Sequence, residues 1–345
     1  MSKSRPIFSI TIPVYNCEKE IGRLLDSIVN QNWDKDKLEV IVCNDKSTDN
    51  CMEIIHSYDD KLNIVYCETP DDLKIHCPGN TRKEAIKYAT GEWVTNIDND
   101  DEFELGAFDK VYNHIKETNE QYMICADFRE YVDGNPRRTF TGKEGNETWT
   151  HGKWFNLDNL IKKFNIEYKS DMTSHEDLYF NTLVLGHLIG NNTDYNYLTE
   201  WVYKWNYRPN SLSHLYYSDK YNYIETYLND YLEACYIPNL DLIKVYPMKI
   251  GFYYNQLMMA VLHGYFYYQA AVWRLGFNDE LNIKNRNHIK VMVDNICETL
   301  KITRNNMIDY IYKLPDRYMR VKYKSFTGSN YFVEVESFVD FMNHL

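Results

Sequence analysis

The 345-residue chain has eight cysteines but no CxxC pair, so a structural zinc site is not expected. Several of the eight sit in apolar runs and read as reduced core residues. A glycine-rich phosphate loop is missing as well. The turn after the first strand-like run is Tyr15-Asn16-Cys17-Glu18, and neither GxGxxG nor GxxxxGK[ST] occurs. That weakens a dinucleotide oxidoreductase or a P-loop NTPase. Positive charge is in short supply: 38 Lys and Arg face 50 Asp and Glu, for a net charge of −12. A general polyanion binder would need a basic face, so nucleic acid is not the expected partner. The opening residues Met1-Ser2-Lys3-Ser4-Arg5-Pro6 lack the apolar core of a signal peptide. The expected compartment is the cytoplasm, with peripheral contact at the inner face of a membrane as the alternative. Only Ile250 to Trp273 is apolar enough to raise the question of a span. Asn255, Gln256, His263 and Gln269 interrupt it, and Lys249 and Arg274 flank it. A span needs about 20 residues with few polar ones, so a buried helix or a homo-oligomer contact is expected there, with interfacial membrane contact as the alternative.

What is abundant is tyrosine, with 31 copies. Such rings can line stacking surfaces, but most should fill core and interface. Hydrophobic residues make up 44% and charged residues 26%, an ordinary globular balance. The length allows one large or two ordinary domains.

The first half alternates between two periodicities. Ile7 to Val14, Leu38 to Cys43, Asn63 to Cys67 and Trp93 to Ile97 are β-branched runs bounded by turn residues and read as buried strands. Between them, Ile21, Leu24, Leu25, Ile28 and Val29 mark one helical face. A second helix carries Met52, Ile54 and Ile55, with Ser47 or Thr48 as its expected cap. A third is expected from about Thr81 to Ala89, ended by Gly91. The order β-α-β-α-β-α-β with continuous apolar strands predicts an α/β fold with a parallel sheet covered on both faces. Ligands of such sheets bind beyond the carboxyl ends of the strands. Tyr15, Asp45 and Asp98 each lie just past a strand end.

The most concentrated chemistry is Asp98-Asn99-Asp100-Asp101. Carboxylates crowded like this repel one another unless a cation sits among them, and a hard divalent metal takes oxygen ligands. An EF-hand fails on spacing. Counted from Asp98, the sixth position is Phe103 rather than Gly and the twelfth is Asp109 rather than Glu. Farther on, Gln121 to Ala126 reads as a strand, Asp133 to Thr150 as a polar loop or hairpin, and Gly152-Lys153-Trp154-Phe155 as the start of a helix. Glu176-Asp177 opens another apolar helical face. The bland reading of that acidic pair is a favourable charge at a helix N-terminus.

Four blocks together resemble family 2 glycosyltransferases of the GT-A fold, in that family's order and spacing, over roughly residues 7 to 215. They are Ile12-Pro13-Val14-Tyr15-Asn16, then Glu39 to Asp49, then Asn80-Thr81-Arg82 with Gly91-Glu92-Trp93, then Asp98-Asn99-Asp100-Asp101. The resemblance implies a mostly parallel sheet flanked by helices. It places Pro13 and Tyr15 beside a nucleotide base, Asp45 on the base or ribose, and Arg82 near the nucleotide. Asp98 and Asn99 fall in the block that meets the nucleotide-sugar, with Asp98 near ribose and metal and Asp100 a direct Mn²⁺ or Mg²⁺ ligand. Asp177 matches the general base, with Glu176 as second choice or orienting neighbour. Arg208-Pro209-Asn210-Ser211-Leu212-Ser213-His214 is similar to the family's closing segment, so Arg208 or His214 would contact phosphate or metal. One departure is plain: the usual Asp-Asp-Gly is Asn44-Asp45-Lys46 here. From about Tyr221 the pattern turns helical, which divides the chain into a catalytic domain at 1–215 and a helical region at 216–345.

The expected function is metal-dependent, inverting transfer of a sugar from a nucleotide-sugar, with UDP as the nucleotide, to a hydroxyl of a surface glycan or its precursor. Alternatives are glycosylation of a hydroxylated DNA base or a protein, a nucleotidyltransferase, and a non-catalytic nucleotide-sugar-binding module.

Overall fold

A computed structural model describes residues 5–73, 75, 77–143, 149–208, 228–275, 280–314, 320–324, 330–334 and 338–345. The chain divides into two compact units, Met1–Ser211 and Leu212–Leu345.

In the first unit, β1 (Phe8–Val14), α1 (Ile21–Val29), β2 (Leu38–Asn44), α2 (Cys51–His56), β3 (Ile64–Glu68), α3 (Pro78–Ile86) and β4 (Trp93–Asn96) follow the expected alternation. After them come β5 (Glu102–Phe103), α4 (Ala107–Thr118), β6 (Met123–Val132), β7 (Asn135–Phe140), β8 (Lys153–Asn156), a π-helical turn at Leu157–Lys162, α5 (Glu176–Gly190) and β9 (Asn196–Asn206). Among the described residues nine strands make one sheet, ordered β3-β2-β1-β4-β8-β6-β9-β5 with β7 on β6. β3, β2, β1 and β4 are parallel. Beyond β4 the sheet is mixed, because β8 runs antiparallel to both β4 and β6 while β6 and β9 are parallel.

Strand alternation explains the two-sided core. On β2, Val40 and Val42 join one apolar cluster with α1, while Ile41 and Cys43 join a second with residues of α3 and α5. Polar positions on β1 are buried but partnered. Ser9 Oγ donates to Glu39 Oε1 at 2.5 Å, and Glu39 also accepts the N–H groups of Thr90 and Gly91 at 2.6 and 3.0 Å. This cradle leaves no room at Gly91, where a Cβ would lie 2.6 Å from Ser9 Oγ.

Several local expectations are corrected. α3 starts at Pro78 rather than Thr81, since proline at the first helical turn forfeits no helical hydrogen bond. The helix ends at Ile86, so Gly91 serves close packing rather than a helix cap. Neither Ser47 nor Thr48 caps α2, whose N-cap is Asn50 without a side-chain bond; Ser47 Oγ instead accepts the Asn16 N–H at 3.1 Å. Gly152-Lys153-Trp154-Phe155 starts no helix. Lys153–Asn156 is wholly buried strand between β4 and β6, where apolar contacts on both faces override a helical reading of so short a run.

The second unit contains α6 (Leu228–Val245), α7 (Ile250–Leu275), α8 (Glu280–Leu300), α9 (Arg304–Ile311), α10 (Phe338–Asn343) and a hairpin of β10 (Arg320–Lys324) with β11 (Asn330–Glu334). α7 is the helix expected over Ile250 to Trp273. It is packed rather than exposed: Tyr253, Leu257, Met258, Val261 and Tyr265 are fully buried in the unit's apolar core. Among the described residues no helix is long and apolar enough to cross a membrane.

Candidate active site

The parallel register sets the carboxyl edge. Val14 lies opposite Asn44, and Thr11 opposite Asn96. The chain therefore leaves β1, β2 and β4 side by side, delivering Tyr15, Asp45 and Asp98 to one rim. α3 and α5 pack over that rim. Their approach depends on Gly79, where a Cβ would lie 3.0 Å from Glu176 Cβ and 3.3 Å from the Lys169 carbonyl oxygen.

Arg82 is the hub. It is 4% exposed and carries three carboxylates. One terminal nitrogen donates to Asp98 Oδ1; the other donates to Glu176 Oε1 and, at 3.2 Å, to Asp177 Oδ1. The cluster therefore joins the acidic tetrapeptide after β4 to the acidic pair that opens α5. Burial disfavours the arginine's charge, but Asp98, Asp177 and Glu176 outweigh it and hold the guanidinium firmly protonated. Burial likewise opposes the charge on Asp98, yet Arg82 and the His151 ring hold that carboxyl well below its ordinary value. Glu176 goes the other way. Its desolvation exceeds the help from Arg82, and its pKa is raised to about 7. Asp177 Oδ2 is held loosely, with the Thr150 N–H and hydroxyl both at 3.4 Å.

Asp100 and Asp101 take different roles. Asp101 is 1% exposed, and both its oxygens are engaged, by the Tyr203 hydroxyl at 2.5 Å and the Asn206 N–H at 2.7 Å. Burial, then the charges of Asp100 and Asp98, push its pKa well up. Asp100 Oδ2 pairs with Arg208 Nε at 2.6 Å, and Arg208 also reaches Glu20 at 2.9 Å. Burial and the neighbouring Asp98 raise the Asp100 pKa, while Arg208 pulls it back. Asn99 spends its amide on the Pro13 carbonyl at 2.9 Å, which ties the turn after β1 to the turn after β4.

The sequence also passed over His151. Its Nε2 lies 3.8 Å from Asp98 Oδ2 and 3.8 Å from Asp101 Oδ2. These three offer one ligand atom each within 4.8 Å of one another, the arrangement a cation needs among the described residues. A carboxylate-and-imidazole set suits Mn²⁺ better than Ca²⁺. Asp98 Oδ2 and His151 fit a divalent ion well. Asp101, with both oxygens engaged, fits least. Asp100, the expected direct ligand, is not one of the three; its Oδ2 is paired with Arg208. His151 Nδ1 is buried with no hydrogen-bond partner among the described residues, and the ring lies against Trp205 at 5.5 Å and Tyr203 at 4.7 Å. A histidine just before the Gly-Lys-aromatic segment was the available signal. His214 lies outside the described residues.

The base-side residues are set differently. Tyr15 is 56% exposed at the rim. Asp45 is buried, accepts the Thr69 hydroxyl at 2.6 Å, and donates its backbone N–H to Val14 at 2.8 Å. Lys46, where the family pattern has glycine, adopts φ +60° and pairs with Asp71 at 2.7 Å and Glu68 at 3.1 Å. That left-handed backbone is the reason glycine suits the position.

Comparison with known proteins follows this geometry. Residues 9–174 match the family model described as Glycosyl transferase family 2. A poly(ribitol-phosphate) beta-glucosyltransferase of Bacillus spizizenii is 39% identical over 117 residues, 34% of this chain and 18% of that protein. The poly(ribitol-phosphate) beta-N-acetylglucosaminyltransferase TarS of Staphylococcus aureus is 39% identical over 94 residues, 27% of this chain and 16% of that one. The chain thus spans less than a fifth of either relative. The crystal structure of S. aureus TarS 1-349 in complex with UDP-GlcNAc superposes with a TM-score of 0.65 at 20% identity, covering 83% of this chain and 80% of that one. At that identity the likeness concerns the fold, which is the GT-A arrangement of a mixed sheet flanked by helices. The stretch that matches the glycosyl transferase family 2 model, residues 9–174, supplies the sheet rim, Arg82 and the acidic tetrapeptide.

Proposed function

We propose that the chain is a metal-dependent, inverting glycosyltransferase that moves a sugar from a UDP-linked donor to an acceptor hydroxyl of a surface glycan or its precursor. The observation that carries this reading is the Arg82 cluster. It places the donor-side acid Asp98 and the acceptor-side acid Asp177 on one guanidinium. The relatives named as poly(ribitol-phosphate) transferases support a polyol-phosphate polymer as acceptor, and the neighbouring structure with UDP-GlcNAc supports UDP as the nucleotide.

The chemistry follows from the residues. Asp177 takes the proton from the acceptor hydroxyl as that oxygen attacks the anomeric carbon. The bond from the anomeric carbon to the diphosphate oxygen breaks, and the departing diphosphate keeps the electron pair. Arg82 orients Asp177, and through Asp98 it fixes the donor side relative to the base. Glu176, with its pKa near 7, holds Arg82 in place beside the base. A divalent cation, held by Asp98 and His151, would supply positive charge to the leaving diphosphate. A single displacement inverts the centre, so an α-linked donor gives a β-linked product.

The test is UDP release and product formation with a panel of UDP-sugars and a polyol-phosphate acceptor. Asp177→Asn should remove transfer while UDP still stabilises the protein thermally. Transfer that persists in excess EDTA would sink the metal role. Release of pyrophosphate instead of UDP would replace this reading with a nucleotidyltransferase.

A further inference from the structure

The opposite edge of the sheet carries a second cavity. It has a volume of about 530 Å³ and lies where Ile7 enters β1 and Lys37 enters β2, at the amino ends of the strands. β1 is seven residues long, so its two ends are separated by about 23 Å. Nothing in the transfer chemistry uses this place. Its size falls within the range of small-molecule sites, about 300–1,000 Å³.

The lining is polar with an aromatic wall. Gln31, Asp34 and Asp109 supply acceptors, while Trp33, Tyr112 and Leu105 supply apolar surface. Trp33 is fixed in orientation: it stacks on Phe8 at 4.9 Å, meets Tyr112 edge-on at 5.7 Å, and donates its Nε1–H to Asp109 Oδ1 at 2.8 Å. Leu105 is 74% exposed at the rim. Gln31 is fixed in the cavity wall. The residue is only 6% exposed, and its amide nitrogen is spent on the carbonyls of Ser27 and Glu104, both at 3.0 Å. Those two donations fix which amide atom is the oxygen. That oxygen is buried and has no hydrogen-bond partner among the described residues.

The chemistry of an occupant follows. It must bring hydroxyl donors for the carboxylates of Asp34 and Asp109. It must also carry an aliphatic face for the aromatic wall. Two carboxylates against the single Lys37 disfavour an anion. We propose that this cavity is a second carbohydrate subsite, which binds one neutral sugar residue carried by the acceptor polymer away from the reacting end. Engagement of two units of one polymer raises the local concentration of the reacting end without any new contact at the catalytic rim. The proposal extends the transferase reading to the acceptor; because binding is measured without turnover, either can fail while the other stands.

The experiment is a titration of the full chain, ¹⁵N-labelled, with glucose, N-acetylglucosamine and ribitol in turn, and with inorganic phosphate as comparator. The Trp33 indole N–H is the reporter. A neutral probe should shift it with a Kd of about 1 mM. Tyr112→Ala should weaken that binding at least about tenfold, or about 1.4 kcal/mol, with UDP-induced thermal stabilisation unchanged. The proposal is overturned if no neutral probe shifts the indole at about fifty times that concentration, if phosphate alone shifts it, or if Tyr112→Ala binds as the parent does.

Discussion

Replacing Arg82 is the sharpest test of how this site is held together. The guanidinium is buried and its side chain is only 5% exposed, with Asp98, Glu176 and Asp177 around it. Arg82→Met keeps most of the volume but leaves those carboxylates facing one another. Breaking a buried pair by removing one partner costs about 3–5 kcal/mol, because the remaining charge stays buried and uncompensated. Three acids share the one cation here, so the upper part of that range is expected at pH 7.5. The loss should shrink as the pH falls. Glu176 takes a proton near pH 7, and without Arg82 the Asp98 carboxyl also loses the charge that holds it ionised. Below about pH 5 the variant should therefore recover much of the difference. Urea unfolding followed by tryptophan fluorescence reads the correct part of the chain, because Trp33, Trp93, Trp149, Trp154, Trp201 and Trp205 lie in the first unit and only Trp273 in the second. Arg82→Lys, which keeps the charge but not the fork, should fall between parent and Arg82→Met. A loss under about 1 kcal/mol that does not vary with pH would refute the hub, since only an exposed and screened pair behaves so.

Two further outcomes are specific to this geometry. Gly79→Ala should destabilise the first unit by about 1–3 kcal/mol in the same urea assay, as expected of overpacking, since its Cβ would press on Glu176 at 3.0 Å; a stabilised variant would mean that helix propensity outweighs the contact. Glu176 contributes a pH slope of definite sign. Its carboxyl keeps a proton in the folded state up to about pH 7 against an ordinary value of 4.5, so the folded state binds more protons between those values. Stability should fall as pH rises through that window, by about 1 kcal/mol per pH unit at the steepest. Glu176→Gln should reduce that slope, leaving the part that the raised carboxyls of Asp100 and Asp101 contribute, and an unchanged slope would assign all of it to those groups. Asp98, whose carboxyl is held low, acts in a more acidic window and does not mask it.

The first strands and helices were legible because their periods are unambiguous. β1, β2 and β4 fell within a residue or so of the expected runs, and α1 carried its apolar face where the spacing put it. The second half was less legible for a physical reason. Lys153–Asn156 is buried on both faces by strands distant in sequence, so the run shows neither a clean alternation nor a helical stripe. The β10–β11 hairpin likewise falls within a region whose pattern was expected to be helical.

The sequence by itself determined which carboxylates arrive at the rim. Asp98 and Asp100 follow a strand, Glu176 and Asp177 open a helix, and both placements come from local periodicity and turn chemistry. Only the tertiary structure decided how those groups divide the work. It gave Asp98, Glu176 and Asp177 a common arginine, buried Asp101 under Tyr203, turned Asp100 toward Arg208, and brought His151 beside Asp98. Those assignments depend on contacts between residues tens of positions apart and on the desolvation they impose, and a linear pattern carries neither.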